Sequence, residues 1–246
     1  MKTIGTFFEL GGRNAVESIA RSGLDYIIID NEHGNYSEES IADCIVASEN
    51  SNILPYVRVG DKSRMSILHM LDVGARAIVV PNVHSVSEVK ELVSYSKFPP
   101  LGNRGYCPNR TTGWGSDESS KDVIKYMDDC NKRCKLITQC ETREALEHIE
   151  EICSIEGIDG IFVGPCDLSI ELGIPLEFSN PILINAIKRI LKACKDNNKE
   201  AYIFVGNMED AKKWSLEGFD SIAYSLDTSI LIDAYKNIVN EYKGAK

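Results

Sequence analysis

Residues 26–34 read Tyr26-Ile27-Ile28-Ile29-Asp30-Asn31-Glu32-His33-Gly34. The stretch opens as an unbroken apolar run and closes as a dense polar turn. A strand half in water alternates apolar and polar side chains. A continuous run is buried on both faces, as in a parallel sheet covered by helices. The same pattern recurs in both directions. Upstream, Ile4 to Leu10 precedes a helical stretch from about Asn14 to Ser22. Downstream, a helix is expected from about Ser37 to Glu49, then a strand from Ile53 to Val59 and a helix from about Arg64 to Val73. Ala77 to Pro81 leads into a helix from about Val86 to Tyr95. After a long irregular stretch, Lys135 to Cys140 leads into a helix from about Arg143 to Ile152. Gly160 to Val163 precedes a loop and a helix from about Pro181 to Asp196. Ala201 to Val205 precedes Met208 to Leu216, and Ser221 to Ser225 precedes a last helix from about Ser229 to Tyr242.

That makes about eight strand–helix units. Regular alternation favours βαβ crossovers, and eight of them within 246 residues fit a closed (β/α)8 TIM barrel. A dinucleotide-binding sheet would need a third glycine after Gly11-Gly12 at the fingerprint spacing, and it is missing. With no linker, repeat or low-complexity tract, residues 1–246 read as one catalytic domain. Phe98 to roughly Ser120 departs from the pattern, with three prolines, several glycines and Arg104, Arg110 and Trp114. A lid, an anion-binding loop and a plain surface excursion are all open for it.

Composition narrows the function. Hydrophobic residues make up 43% and charged residues 26%, enough for a large core. The formal net charge of −10 argues against nucleic acid or an anionic membrane as partner. It leaves an anionic small substrate open, because a local metal or arginine inverts the field within a pocket. The N-terminus carries no signal-peptide or anchor pattern, and no run approaches the roughly 20 apolar residues of a spanning helix. Eight cysteines without a CxxC pair read as reduced thiols of a cytoplasmic protein.

Barrel enzymes carry their chemistry just after the C-terminal ends of the strands. There this sequence places Asp30 to Gly34, then Arg58, then Gln139-Cys140-Glu141, then Gly164-Pro165-Cys166-Asp167-Leu168-Ser169. Glu141 and Asp167 follow adjacent strands and could share a hard divalent cation such as Mg²⁺ or Mn²⁺. A cation chelated by a 2-oxo acid acts as a Lewis acid. Arg58 could donate to the developing oxyanion. A histidine moves protons near neutral pH, which suits His33 to carbon–carbon cleavage. Gln139 faces the same way as Glu141 if the strand alternates. Each group also has a plain reading. Glu141 and Asp167 could cap helices, Arg58 could form a surface ion pair, and His33 could be a loop histidine. Asp72 lies before a glycine cap in Leu71-Asp72-Val73-Gly74.

Taken in order, these segments, with Val57-Arg58-Val59, Val80-Pro81 and Phe98-Pro99-Pro100-Leu101-Gly102-Asn103-Arg104-Gly105, resemble the HpcH/HpaI aldolase family. The resemblance runs from Gly5 to about Ile230. It implies a TIM barrel of the phosphoenolpyruvate/pyruvate type and a class II aldolase that uses Mg²⁺, Mn²⁺ or Co²⁺. Such an aldolase cleaves or forms 4-hydroxy-2-oxo acids or 2-dehydro-3-deoxy sugar acids, giving pyruvate and an aldehyde. It also implies a homo-oligomer, often a hexamer. By the same resemblance Glu141 and Asp167 are metal ligands and Arg58 contacts the pyruvate keto oxygen. His33 is the catalytic histidine, and Asp72 orients it from a neighbouring helix or subunit. Gln139 lies beside the metal, and Gly164, Pro165, Cys166 and Asp167 cradle the substrate carboxylate.

The chain departs from the family at Asn35, Cys140 and Cys166, and in Tyr106-Cys107-Pro108-Asn109-Arg110, where acceptor selectivity is expected. The alternatives are a CoA-ester lyase of the citramalyl or malyl type, which needs a basic patch for CoA, and a non-catalytic metabolite-binding barrel. A Schiff-base aldolase needs a lysine at a strand end, and Lys135 stands at the wrong rim.

Overall fold

The computed structural model describes residues 2–244. The first half runs β1 (Thr3–Phe8), α1 (Arg13–Ala20), β2 (Tyr26–Asp30), α2 (Glu38–Asn50), β3 (Leu54–Arg58), α3 (Arg64–Val73), β4 (Ala77–Val80), α4 (Val86–Ser96). Two 3-10 turns, Arg110–Gly115 and Glu118–Ser120, then lead into α5 (Val123–Arg133) and β5 (Lys135–Cys140). The second half runs α6 (Arg143–Glu147), α7 (Ile149–Ser154), β6 (Gly160–Val163), α8 (Pro165–Glu171), α9 (Pro181–Asp196), β7 (Glu200–Val205), α10 (Met208–Glu217), β8 (Ser221–Leu226) and α11 (Asp227–Gly244). The eight strands pair in chain order, all parallel, and β8 closes on β1. This is the expected (β/α)8 TIM barrel. Among the described residues no helix is long and apolar enough to cross a membrane.

Alternation along the strands divides the core in two. Ile27, Ile29 and Val57 point outward into the layer shared with the helices. Phe7, Tyr26, Ile28, Tyr56, Phe162 and Tyr202 point inward. The Tyr26 and Tyr56 rings stack with centroids 4.6 Å apart. The barrel interior is therefore a packed plug, and chemistry is confined to its ends. Lys135 begins β5 and is tied to Glu200, with its Nζ 2.6 Å from Oε2, so it stands at the N-terminal rim as expected.

Two helices go beyond the sequence reading. α5 was an irregular stretch by pattern, because it is polar almost all round and buries only Tyr126 and Cys130. Its i,i+4 pairs Lys125–Asp129 and Asp128–Lys132 add to its helical stability. α8 is a single short helix with proline at its first position, in a segment read as a loop.

Residues 98–120 do not cover the polar rim of their own chain. Arg104 reaches Asp72 and Arg110 reaches the Val73 carbonyl and Glu49, so the segment packs outside α3 and below the start of β4. A connection leaving α4 begins at the N-terminal end of the barrel, because helices run antiparallel to the strands. The lid expectation fails within the chain for that reason. All eight cysteines are free thiols.

Candidate active site

β2 and β3 build the centre of the site. Their register pairs Asp30 with Arg58 at the last rung of both strands. Both side chains point inward above the aromatic plug. Arg58 Nε donates to Asp30 Oδ1 at 2.8 Å and Nη2 donates to Oδ2 at 2.6 Å. Nη1 lies 2.8 Å from Glu32 Oε2. The guanidinium also sits over the Phe7 ring, 4.7 Å from its centroid. Asp30 is fully buried and Arg58 nearly so, so the pair is fixed rather than rotating at a surface. Asp30 Oδ1 also accepts the backbone N–H of Glu32 at 3.0 Å, which shapes the turn. Within that turn a Cβ on Gly34 would stand 2.0 Å from the Asp30 carbonyl, so only glycine fits.

The end of β5 supplies the buried acid. Glu141 Oε1 accepts the Asn82 N–H at 2.7 Å, and Gln139 Nε2 donates to Oε2. The cap of α6 is Thr142, so Glu141 is no helix cap. Burial pushes the Glu141 carboxyl up to about 7, Asn82 opposes this, and the nearby Asp167 and Glu32 charges push it further. Burial likewise raises Glu32, with Arg58 pulling the other way. Gly164, at the end of β6, closes this corner. A Cβ there would lie 2.5 Å from Glu141 Oε2 and 3.4 Å from Gln139 Nε2.

A cavity of about 250 Å³ opens above these groups, lined by Phe7, His33, Arg58, Gln139, Gly164, Pro165, Cys166 and Asp167, among others. Asp167 is exposed in the first turn of α8. His33 stands at the mouth with its side chain 67% exposed, 3.9 Å from Glu32 Oε2. Asp72 is not there. It is paired with Arg104 at 2.8 Å on the outer helix layer, so within one chain it does not orient His33.

The donor set fits a hard cation. Among the described residues no three His, Cys, Asp or Glu side chains form a closed metal group. Two carboxylates, Glu141 and Asp167, face one corner and repel each other there. The Gln139 Oε1 atom is buried without a hydrogen-bond donor among the described residues. Oxygen donors with open positions suit an octahedral ion that keeps water or takes a bidentate ligand.

Asp30, Glu32 and Asn82 are the site residues that sequence reasoning gave no role. Asp30 was legible as the end of a strand run, but its bond to Arg58 depends on strand register. Asn82 acts through its backbone, which carries no sequence signal.

Known proteins share this architecture. The sequence profile described as HpcH/HpaI aldolase/citrate lyase matches residues 3–234. The chain is 30% identical to 2-keto-3-deoxy-L-rhamnonate aldolase of Klebsiella pneumoniae, over 94% of this chain and 85% of that protein. It is 29% identical to hydroxypyruvate/pyruvate aldolase of Roseobacter denitrificans, over 97% and 92% respectively. The crystal structure of citrate synthase SbnG matches with a TM-score of 0.88 at 27% identity, covering 100% of this chain and 95% of that one. The profile spans the barrel from its first strand into its last helix, and the chain belongs to the HpcH/HpaI aldolase/citrate lyase family of carbon–carbon lyases.

Proposed function

We propose that the chain is a single-domain, metal-dependent class II aldolase. It cleaves, or in reverse forms, a 4-hydroxy-2-oxo acid or 2-dehydro-3-deoxy sugar acid, with pyruvate and an aldehyde as the other side of the reaction. The observation that carries this reading is the fixed Arg58 at the floor of a cavity that also presents Gln139, Gly164, Asp167 and His33, with Glu141 directly behind Gln139.

Glu141 and Asp167 would hold a divalent cation, Mg²⁺, Mn²⁺ or Co²⁺, which would supply Lewis-acid polarisation of the 2-oxo acid. Arg58, oriented by Asp30 and Glu32, donates to the C2 oxygen as negative charge grows on it. His33 takes the proton of the C4 hydroxyl. The C3–C4 bond then breaks, its electron pair stays on C3, and the C4 oxygen becomes the aldehyde carbonyl. The proton held by His33 then passes to C3, completing pyruvate and restoring the histidine. Gly164, Pro165 and Cys166 at the start of α8 present backbone toward the substrate carboxylate.

The relatives' names support aldol chemistry with pyruvate-type substrates and leave the aldehyde open. Free thiols throughout agree with a cytoplasmic setting. A homo-oligomer is supported by α11. Every residue of it from Ile230 to Gly244 is exposed, including Tyr235, Ile238 and Tyr242. A shallow apolar groove over the β8–β1 seam, lined by Ile4, Ala211, Leu216 and Ile222, is left open by the described residues. The α11 of a second copy is the occupant that matches it.

The test is pyruvate release from a panel of 4-hydroxy-2-oxo acids, with protein stripped by EDTA and resupplied with Mg²⁺, Mn²⁺ or Co²⁺. Activity lost with EDTA and regained with metal supports the reading. Turnover of CoA thioesters instead would replace it with the CoA-ester lyase reading.

A further inference from the structure

A second cavity, of about 370 Å³, opens at the other end of the barrel. Arg76, just before β4, and Cys134, just before β5, line it, so it lies at the N-terminal rim, away from Arg58 and Glu141. Its other charged lining residues are Glu49, Arg104, Arg110 and Arg133.

Two observations point to a ligand. The first is charge. Four arginines line this cavity in a chain of formal net charge −10. Glu49 pairs with Arg110 and Asp72 with Arg104, whereas Arg76 and Arg133 form no ion pair among the described residues. Four cations against two carboxylates leave two positive charges uncompensated. Unmatched like charges repel, and an anion removes that repulsion.

The second is a buried donor without an acceptor. The Arg104 side chain is only 2% exposed, with one bond to Asp72 and its guanidinium over the Phe98 ring. Its Nε has no hydrogen-bond partner among the described residues. A buried N–H left unpaired is costly, and a guanidinium fork matches oxyanions. Trp114 stands on the cavity wall and is 74% exposed.

We propose that this cavity binds a small, multiply charged oxyanion, a phosphate ester or a dicarboxylate, between Arg76, Arg104 and Arg133, with Trp114 against its non-ionic part. Within one chain the site shares no lining residue with the cavity above Arg58.

Trp114 also provides the probe, since the other tryptophan, Trp214, is buried. Tryptophan emission is titrated with inorganic phosphate and, separately, with malonate, at constant ionic strength set by KCl. Isothermal titration calorimetry is run alongside. The expected result is saturable binding of at least one anion by both methods, with Trp114→Phe removing the optical signal but not the heat. Arg76→Gln and Arg133→Gln should each weaken binding by about tenfold or more, the scale of one lost charge-assisted bond, with pyruvate release unchanged. Phosphate alone binding assigns a phosphate ester, and malonate alone assigns a dicarboxylate. No saturable heat with either anion, or full affinity in both arginine variants, would overturn the proposal.

Discussion

Asp30 holds Arg58 by two hydrogen bonds, from Nε at 2.8 Å and Nη2 at 2.6 Å, and the two residues are register partners on adjacent strands. The barrel thus builds its own positioning device for the arginine, with Glu32 fixing the third nitrogen. A buried ion pair adds little net stability, but breaking it strands a charge.

Arg58→Ala should therefore destabilise the fold by about 3–5 kcal/mol, because Asp30 is left as an uncompensated buried anion. Adding Asp30→Asn to Arg58→Ala should recover much of that loss. Urea unfolding of the two singles and the double measures the coupling. A double variant as unstable as the sum of the singles would show that the pair is not coupled as described.

Gly164→Ala tests the corner beside Glu141. The new Cβ meets Glu141 Oε2 at 2.5 Å, the end of a flexible side chain, so the carboxylate moves and the fold survives. The midpoint for metal reactivation of stripped enzyme should rise by about tenfold or more, the scale seen when groups supporting a metal site are disturbed. Melting temperature should change little. An unshifted metal midpoint would mean that Glu141 is not a ligand.

His33 is exposed and bears little of the fold. His33→Gln should leave thermal unfolding unchanged and lower cleavage by about 10²–10⁴-fold, the usual range for loss of a general base. Wild-type turnover in His33→Gln would move the proton role elsewhere.

The α11 face predicts assembly through hydrophobic contact. Ile238→Asp places a charge in the centre of that face and should shift the protein to a smaller species in sedimentation velocity. An unchanged sedimentation coefficient would remove α11 from the interface.

The eight-fold alternation and the polar ends of β2, β3, β5 and β6 were legible in the chain itself. Strands buried on both faces read as continuous apolar runs, and the Glu141 and Asp167 segments break those runs at the rim. Local rules reach that far because periodicity and capping act over a few residues. Tertiary structure decided which side chains meet. Strand register, 28 residues apart in sequence, makes Asp30 the partner of Arg58. Barrel closure puts residues 98–120 under β4 and gives Asp72 to Arg104, 32 residues away, instead of to His33. The last helix was legible as a helix, and only the packed barrel shows its apolar residues facing outward. Pairing across strands and between layers depends on long-range geometry, which a local pattern does not contain.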